Sequence, residues 1–240
     1  MNMKENELDF KNEYESLKKD FTDYAYIVSH DLNAPVRHIR EFSKLLFEEL
    51  ENQLNSECVE YKHYIEKSVD VIEKKLDALL KISRVNTAKW HYVKLDIREV
   101  IECAVRQVES NYKFNCSVSG VFPELNVDPD SIQTALFNVI ENAAKFYKGE
   151  DKPSVDITSV VDEEKCIIKI IDNGVGIKAN KIEEVFEIFK KIDARFIGIG
   201  AGLSVTRKIL ERYDGKISVK SKFGEGTEVT ITLPLEIMEK

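Results

Sequence analysis

Residues 165–176 read KCIIKIIDNGVG. The apolar, β-branched run KCIIKII (165–171) predicts a strand. It breaks on Asp172-Asn173-Gly174-Val175-Gly176. A carboxylate at a strand end could accept from the exocyclic amine of a purine, and the glycines let backbone approach a ligand closely. A tight turn explains the same residues, so both readings stand on this stretch alone.

Working outward, VDITSVV (155–161) forms a second strand, joined to the first through Asp162-Glu163-Glu164. KISVKS (216–221) and TEVTITL (227–233) alternate as two more around Phe223-Gly224-Glu225-Gly226, and CSVSGV (116–121) reads as another. Three helices interleave with them. The first runs from Leu95 to Glu109 with Asp96 as its cap. The second opens at Asp128-Pro129 and runs to about Phe146, and the third runs from Leu203 to Arg212 before Asp214-Gly215. Helices are expected on one face of a mostly antiparallel sheet.

The N-terminal part differs in composition. Residues 1–88 contain one Pro and no Gly, whereas all ten Gly lie at position 120 or later. Apolar residues recur every three or four positions at Phe21, Tyr24, Val28, Leu32, Pro35, Ile39, Phe42, Leu46 and Leu50. A second stripe follows at Cys58, Tyr61, Ile65, Val69, Ile72, Leu76 and Leu79. ENQLNSE (51–57) is the turn between them, which makes an antiparallel helical hairpin. A lone hairpin cannot cover its own stripe, so a four-helix bundle in a homodimer is predicted. The fold class is therefore α+β. A helical domain over 1–90 precedes a second domain over 91–240.

The 240 residues carry 35 Lys+Arg against 43 Asp+Glu, a net charge of −8, which disfavours a nucleic-acid binder. No apolar run reaches the length of a membrane span, and the charged N-terminus lacks a secretory signal, so a soluble, cytoplasmic protein is expected. Cys58, Cys103, Cys116 and Cys166 lack C-x-x-C spacing and read as reduced thiols rather than a disulfide framework or zinc site.

Five groups of residues could carry chemistry. His30 lies about 200° round the helix from Val28 and from Leu32, so it faces away from the apolar stripe. With Asp31 beside it, it is either an accessible nucleophile or an ordinary surface histidine. Asn138 and Asn142 share a helix face with Lys145 following, and amide oxygens suit Mg²⁺ as an ammonium suits phosphate; a plain polar helix face fits equally. Asp172, Gly174 and Gly176 form the third group. Gly198, Gly200 and Gly202 precede Leu203 at a helix start, either as a phosphate cradle or as a hinge. Thr227 follows the Gly224-Glu225-Gly226 turn. Ile177 to Ile197 is long for a loop and reads as a lid. It carries Phe186, Phe189 and Phe196 with Lys190, Lys191 and Arg195.

The order of these groups resembles the catalytic core of sensor histidine kinases. SHDLNAPVR (29–37) is similar to the family's H box, NVIENAAKF (138–146) to its N box, and DNGVG (172–176) and GIGAGL (198–203) to its glycine boxes. VFEIF (185–189) is similar to its F box and GEGTEVTITLP (224–234) to its last strand; SHDLNAPVRHIREFSKLL and LLKISRV look most like the phytochrome-type subgroup. The resemblance implies an α/β-sandwich ATP-binding domain joined to a dimerising hairpin. It implies that His30 accepts the γ-phosphoryl group of ATP with Asp31 as its acid/base neighbour, and that an aspartate of a response regulator then receives it. Asn142 would hold Mg²⁺ with Asn138 beside it, Lys145 would contact phosphate and Asp172 would recognise adenine. Gly174, Gly176, Gly198, Gly200 and Gly202 would shape the pocket and lid, with Lys190, Arg195, Leu203 and Thr227 as further nucleotide contacts. The family often has Thr or Asn four residues after the histidine; Ala34 stands there, so weak phosphatase activity is expected. The segment before residue 20 is too short for a sensor domain, so an upstream sensor domain or protein is implied, and residues 4–20 could continue a signalling coiled coil. Hsp90-, gyrase- and MutL-type ATPases resemble the pocket but place a Glu where Asn138 stands. A scaffold with a dead pocket is the non-enzyme alternative.

Overall fold

The computed structural model describes residues 27–50, 54–193, 196 and 198–238, and of Asn86 the backbone alone. Phe21, Tyr24, the 4–20 segment, residues 51–53 of the expected turn, Arg195 and Ile197 lie outside them. The chain divides into two compact units at Ala88/Lys89.

In the first unit, helix α1 covers residues 27–49 and helix α2 runs Ser56–Thr87. Asn55 caps α2: its side chain accepts from the Cys58 N–H at 2.8 Å. The seam between the helices is one position removed from the stripe read in the sequence. Ser29, Val36 and Phe47 of α1 are buried, while Leu32, Ile39, Phe42 and Leu46 are exposed. One position on a helix is 100°, so the apolar stripe faces sideways out of the pair. On α2, Val69 and Leu76 are buried against Val36, but Tyr61, Ile65 and Ile72 are exposed. The seam also holds an ion pair. Arg40 donates from Nε to Glu73 Oε1 at 2.9 Å and from Nη2 to Glu73 Oε2, fixing the register of the two helices.

The second unit contains two sheets. Strand β1 (Val93–Asp96) pairs antiparallel with β3 (Glu124–Val127). The larger sheet has the order β2-β4-β5-β7-β6, comprising Asn115–Gly120, Ser154–Val161, Lys165–Asp172, Gly226–Pro234 and Lys216–Lys222. It is mixed: β2 and β4 run parallel, and the other neighbours antiparallel. The parallel pair follows from chain length, because α4 (Pro129–Lys145) lies between its strands and parallel neighbours need such a crossover. Helices α3 (Ile97–Glu109) and α5 (Gly202–Arg212) pack on either side of α4. The helix predicted from Leu95 begins at Ile97: Val93–Asp96 is strand, and Asp96 caps α3 by accepting from the Arg98 N–H.

Alternation in β5 places Cys166, Ile168 and Ile170 in the core and Lys165 and Lys169 outside. Ile97, Ile101, Leu136, Ile140 and Ile209 close that core from the helix side, all almost completely buried. The outer sheet face mixes exposed apolar residues, Val160 and Ile171, with polar pairs: Ser117 is bonded to Asp156, and Lys169 lies near Glu228.

Candidate functional site

The site of the second unit is built where the end of β5, the C-terminal end of α4, the N-terminal end of α5 and the β6–β7 turn meet. Asp128 starts α4 by accepting from the Ser131 N–H at 3.0 Å. Helical spacing then puts Asn138, Asn142 and Lys145 along one side. Asn138 is already engaged: its Nδ2 donates to the Gly202 carbonyl at 3.3 Å and to Thr206 Oγ1 at 3.4 Å. Thr206 Oγ1 donates in turn to the Ala135 carbonyl at 3.3 Å. Asn138 therefore fastens the start of α5 to α4. Asn142 makes no side-chain hydrogen bond among the described residues, and a Cβ added at Gly202 would lie 3.7 Å from its Nδ2.

Asp172 ends β5 opposite Thr227. Its Oδ1 accepts from the Gly174 N–H at 2.8 Å and from the Thr227 N–H at 3.2 Å. Burial pushes its carboxyl up to about 6, against the opposing pull of those two donors. The loop after it is fixed at both ends. Val175 N–H donates to the Phe146 carbonyl at 2.8 Å. A side chain at Gly174 would place its Cβ 2.4 Å from that carbonyl oxygen, so glycine is required there. Gly176 sits at φ +63°, and a Cβ would come 2.1 Å from the Lys222 carbonyl. Ser221 completes the wall. Its hydroxyl accepts from the Ile177 N–H and donates to the Gly226 carbonyl, at 2.8 and 2.7 Å. Ser221 was invisible in sequence, because it is one more polar residue at the end of an alternating strand.

The lid segment joins this site through aromatic contacts. Phe196 stacks edge-on to Phe146 with ring centroids 5.0 Å apart. A Cβ at Gly198 would lie 2.8 Å from Lys145 Nζ, so the first glycine after the lid stands at that ammonium. Gly200 approaches the Lys190 backbone closely, while Leu203 is half-buried in the first turn of α5. The side chain of Lys190 turns to Glu184 at 3.1 Å and Glu187 at 3.6 Å. Arg207 holds the lid's base by donating to the Phe186 carbonyl at 3.2 Å.

In the first unit, the His30 side chain is 72% exposed, and its Nδ1 lies 3.2 Å from Asp31 Oδ1. Ala34 is exposed on the same helix. The structure thus groups Asp172, Gly174 and Thr227 around one end of the site, and Asn138, Asn142, Lys145, Gly198 and Gly202 around the other. His30 and Asp31 belong to the other unit.

Residues 127–237 match the family described as histidine kinase-, DNA gyrase B- and HSP90-like ATPase. Relatives align along nearly the whole chain, and several of them are kinases by name. The phytochrome-like protein Cph1 of Synechocystis sp. is 26% identical over 90% of this chain and 29% of its own length. The methanogenesis regulatory histidine kinase FilI of Methanothrix harundinacea is 29% identical over 92% of this chain and 25% of its own. The chain carries a histidine kinase catalytic core.

The full-length ShkA structure, in complex with AMPPNP, shares the fold of this kinase core. It superposes with a TM-score of 0.68 at 19% identity, covering 91% of this chain and 47% of ShkA. The kinase core spans between a quarter and a third of Cph1 and FilI. No helix among the described residues is long and apolar enough to cross a membrane.

Proposed function

We propose that this chain is the autophosphorylating core of a two-component sensor kinase: the second unit binds ATP, and His30 takes its γ-phosphoryl group. The observation that carries this reading is the clamped carboxylate of Asp172. Its Oδ1 is held by two backbone donors in a partly dehydrated setting, facing glycine-lined backbone. A half-buried acceptor fixed in this way suits the exocyclic amine of adenine. Thr227 fixes that carboxylate through its N–H, and Gly174 and Gly176 let the wall close on the base.

At the other end, Asn142 fits Mg²⁺. It offers a hard amide oxygen with no protein partner among the described residues, and Mg²⁺ sites of this kind take most of their ligands from substrate phosphates and water. Bound there, Mg²⁺ would neutralise charge on the phosphates of ATP. Asn138 stands beside it and acts mainly by holding α5 in place. Lys145 meets phosphate from the α4 side, and Gly198, Gly200 and Gly202 let the lid fold over it, with Leu203 anchoring its far end. Lys190 is released from Glu184 to meet nucleotide, and Arg195 is a further nucleotide contact.

Asp31 accepts from Nδ1–H of His30, which leaves the lone pair on Nε2. Nε2 attacks the γ-phosphorus, the bond to the β,γ-bridging oxygen breaks, and ADP leaves. Asp31 takes up the Nδ1 proton as the ring becomes positive. A response-regulator aspartate later receives the phosphoryl group and His30 is restored. Positioning and electrostatics supply most of the catalysis in such transfers. The exposed stripe of α1 and α2 closes against a second copy, so the working unit is a cytoplasmic homodimer fed by an upstream sensor domain or protein. Ala34 offers no hydrogen bond to orient water near a phosphorylated regulator, so phosphatase activity is weak and Ala34→Thr raises it.

The test is incubation with γ-labelled ATP and Mg²⁺, with His30→Gln alongside. Acid-labile, base-stable label on the native protein alone supports the reading. Label of equal amount on both proteins contradicts it.

A further inference from the structure

The segment that leaves α2 does not run loose to β1. Trp90, the single tryptophan of the chain, is buried to 8% exposure. Its ring lies 4.8 Å from that of Tyr213, centroid to centroid, and the Arg212 guanidinium sits 4.2 Å over it on the same helix end. Tyr92 closes the cluster, edge-on to Tyr213 at 6.2 Å. Between them the backbone is held as well: His91 N–H donates to Asp128 Oδ2 at 2.9 Å. Asp128 is also the cap of α4, and its own N–H donates to the Tyr213 hydroxyl at 2.9 Å. Residues 90–92 are thus clasped onto the start of α4 and the end of α5. These are the two helices whose opposite ends build the nucleotide site.

We infer that this clasp makes Trp90 a positioning residue for phosphoryl transfer, by shortening the connection between the His30 unit and the ATP unit to Ala88 and Lys89. The inference rests on the kinase reading above. α2 ends at Thr87 and Ala88 is already extended, so the tether begins there. With the clasp intact it ends at Trp90; without it the tether would run on to Val93, where β1 begins. Effective concentration across a flexible tether falls with about the −3/2 power of its length, so growth from two residues to five costs about fourfold. The clasp touches neither Asp172 nor Asn142, so nucleotide affinity is not what it controls.

The test uses the full chain and three variants. Trp90→Ala opens the clasp, Trp90→Phe keeps a ring in it, and Gly-Ser-Gly-Ser inserted between Ala88 and Lys89 lengthens the tether with the clasp untouched. His30 labelling is timed at saturating ATP, and affinity is measured separately with a fluorescent ATP analogue. Trp90→Ala and the insertion should each slow labelling about four- to fivefold, with affinity unchanged within about twofold, and Trp90→Phe should recover most of the rate. The insertion carries the test if Trp90→Ala fails to fold, and native Trp90 emission confirms that its clasp is intact. An insertion variant that labels as fast as the native protein, or faster, overturns the inference. So does a Trp90→Ala protein whose affinity falls along with its rate. A native protein that takes no label on His30 overturns the kinase reading, and this inference with it.

Discussion

The two units of this chain use the same helical periodicity to opposite ends. In the second, the apolar faces of α3, α4 and α5 are closed by the sheet, and Ile97, Ile101, Leu136 and Ile140 reach zero exposure. In the first, the strongest stripe is left open: Phe42 is 68% exposed and Leu46 56%, while the seam inside the pair includes Ser29 and Arg40. A hairpin that spends polar residues on its own seam and keeps apolar ones for an outer face fits the second copy proposed above. A closed sandwich can instead carry a strained polar group, because its core holds the surroundings fixed. Asp172 is that group.

The contrast breaks most sharply at Phe42. Burying a Phe side chain is worth about 1.5–3 kcal/mol, and a dimer buries two, so Phe42→Asp should weaken dimerisation at least about a hundredfold. Sedimentation velocity should find a monomer, with nucleotide affinity of the second unit preserved. An unaltered dimer would place the partner on another face.

Next in size is the cost of Asp172. The carboxyl is raised from its ordinary value of 3.8 to about 6 by burial. Well below pH 3.8 it is protonated both folded and unfolded and costs nothing. Between 3.8 and about 6 the unfolded chain ionises the group while the folded protein still holds its proton, so stability falls as pH rises and levels off above about 6. Asp172→Asn keeps an oxygen for the Gly174 and Thr227 N–H groups. It should therefore stabilise the ATP-free protein by about 1–3 kcal/mol at pH 8 and by only about 0.2 kcal/mol at pH 3.5, while ATP binding is lost. Denaturant melts at the two pH values check this.

A smaller effect follows from the same group. Adenine recognition needs the ionised form, so ATP affinity should fall about tenfold between pH 7 and pH 5, as the ionised fraction of a group titrating near 6 collapses. Calorimetric titrations across that range measure it, and a flat profile would move adenine recognition to another residue. The smallest effect belongs to Tyr92, whose hydroxyl is buried without a partner among the described residues. Tyr92→Phe removes an unsatisfied polar group and keeps the ring, so stability should rise by about 0.5–1 kcal/mol in thermal melts, with His30 labelling unchanged.

Much of this was legible in the sequence, for reasons that differ by element. β5 and its Asp172 turn were readable because a buried strand needs a continuous β-branched run and the turn needs glycine at a close approach. The hairpin was readable as two helices, but its seam was displaced by one residue. Periodicity finds the most apolar face, and here that face is turned away from the other helix. The parallel β2–β4 pair was missed although strand, helix and strand stood in the right order, since the short β3 between them disguised the crossover. Ser221 and Thr206 carry wall and helix contacts through hydroxyls that no local pattern distinguishes. Asn138 stands among the nucleotide contacts only through the family resemblance, and no local pattern announces that its Nδ2 also donates to the Gly202 carbonyl and Thr206 Oγ1.

The division of labour between the units is tested most directly by phosphate balance. The native protein and His30→Gln are each incubated with γ-labelled ATP and Mg²⁺, and label on protein is counted against label released as free phosphate. Protein-bound label is expected on the native chain alone, matched to the ATP consumed, with little free phosphate from either protein. Steady phosphate release without protein label would contradict that division and make the second unit an ATPase.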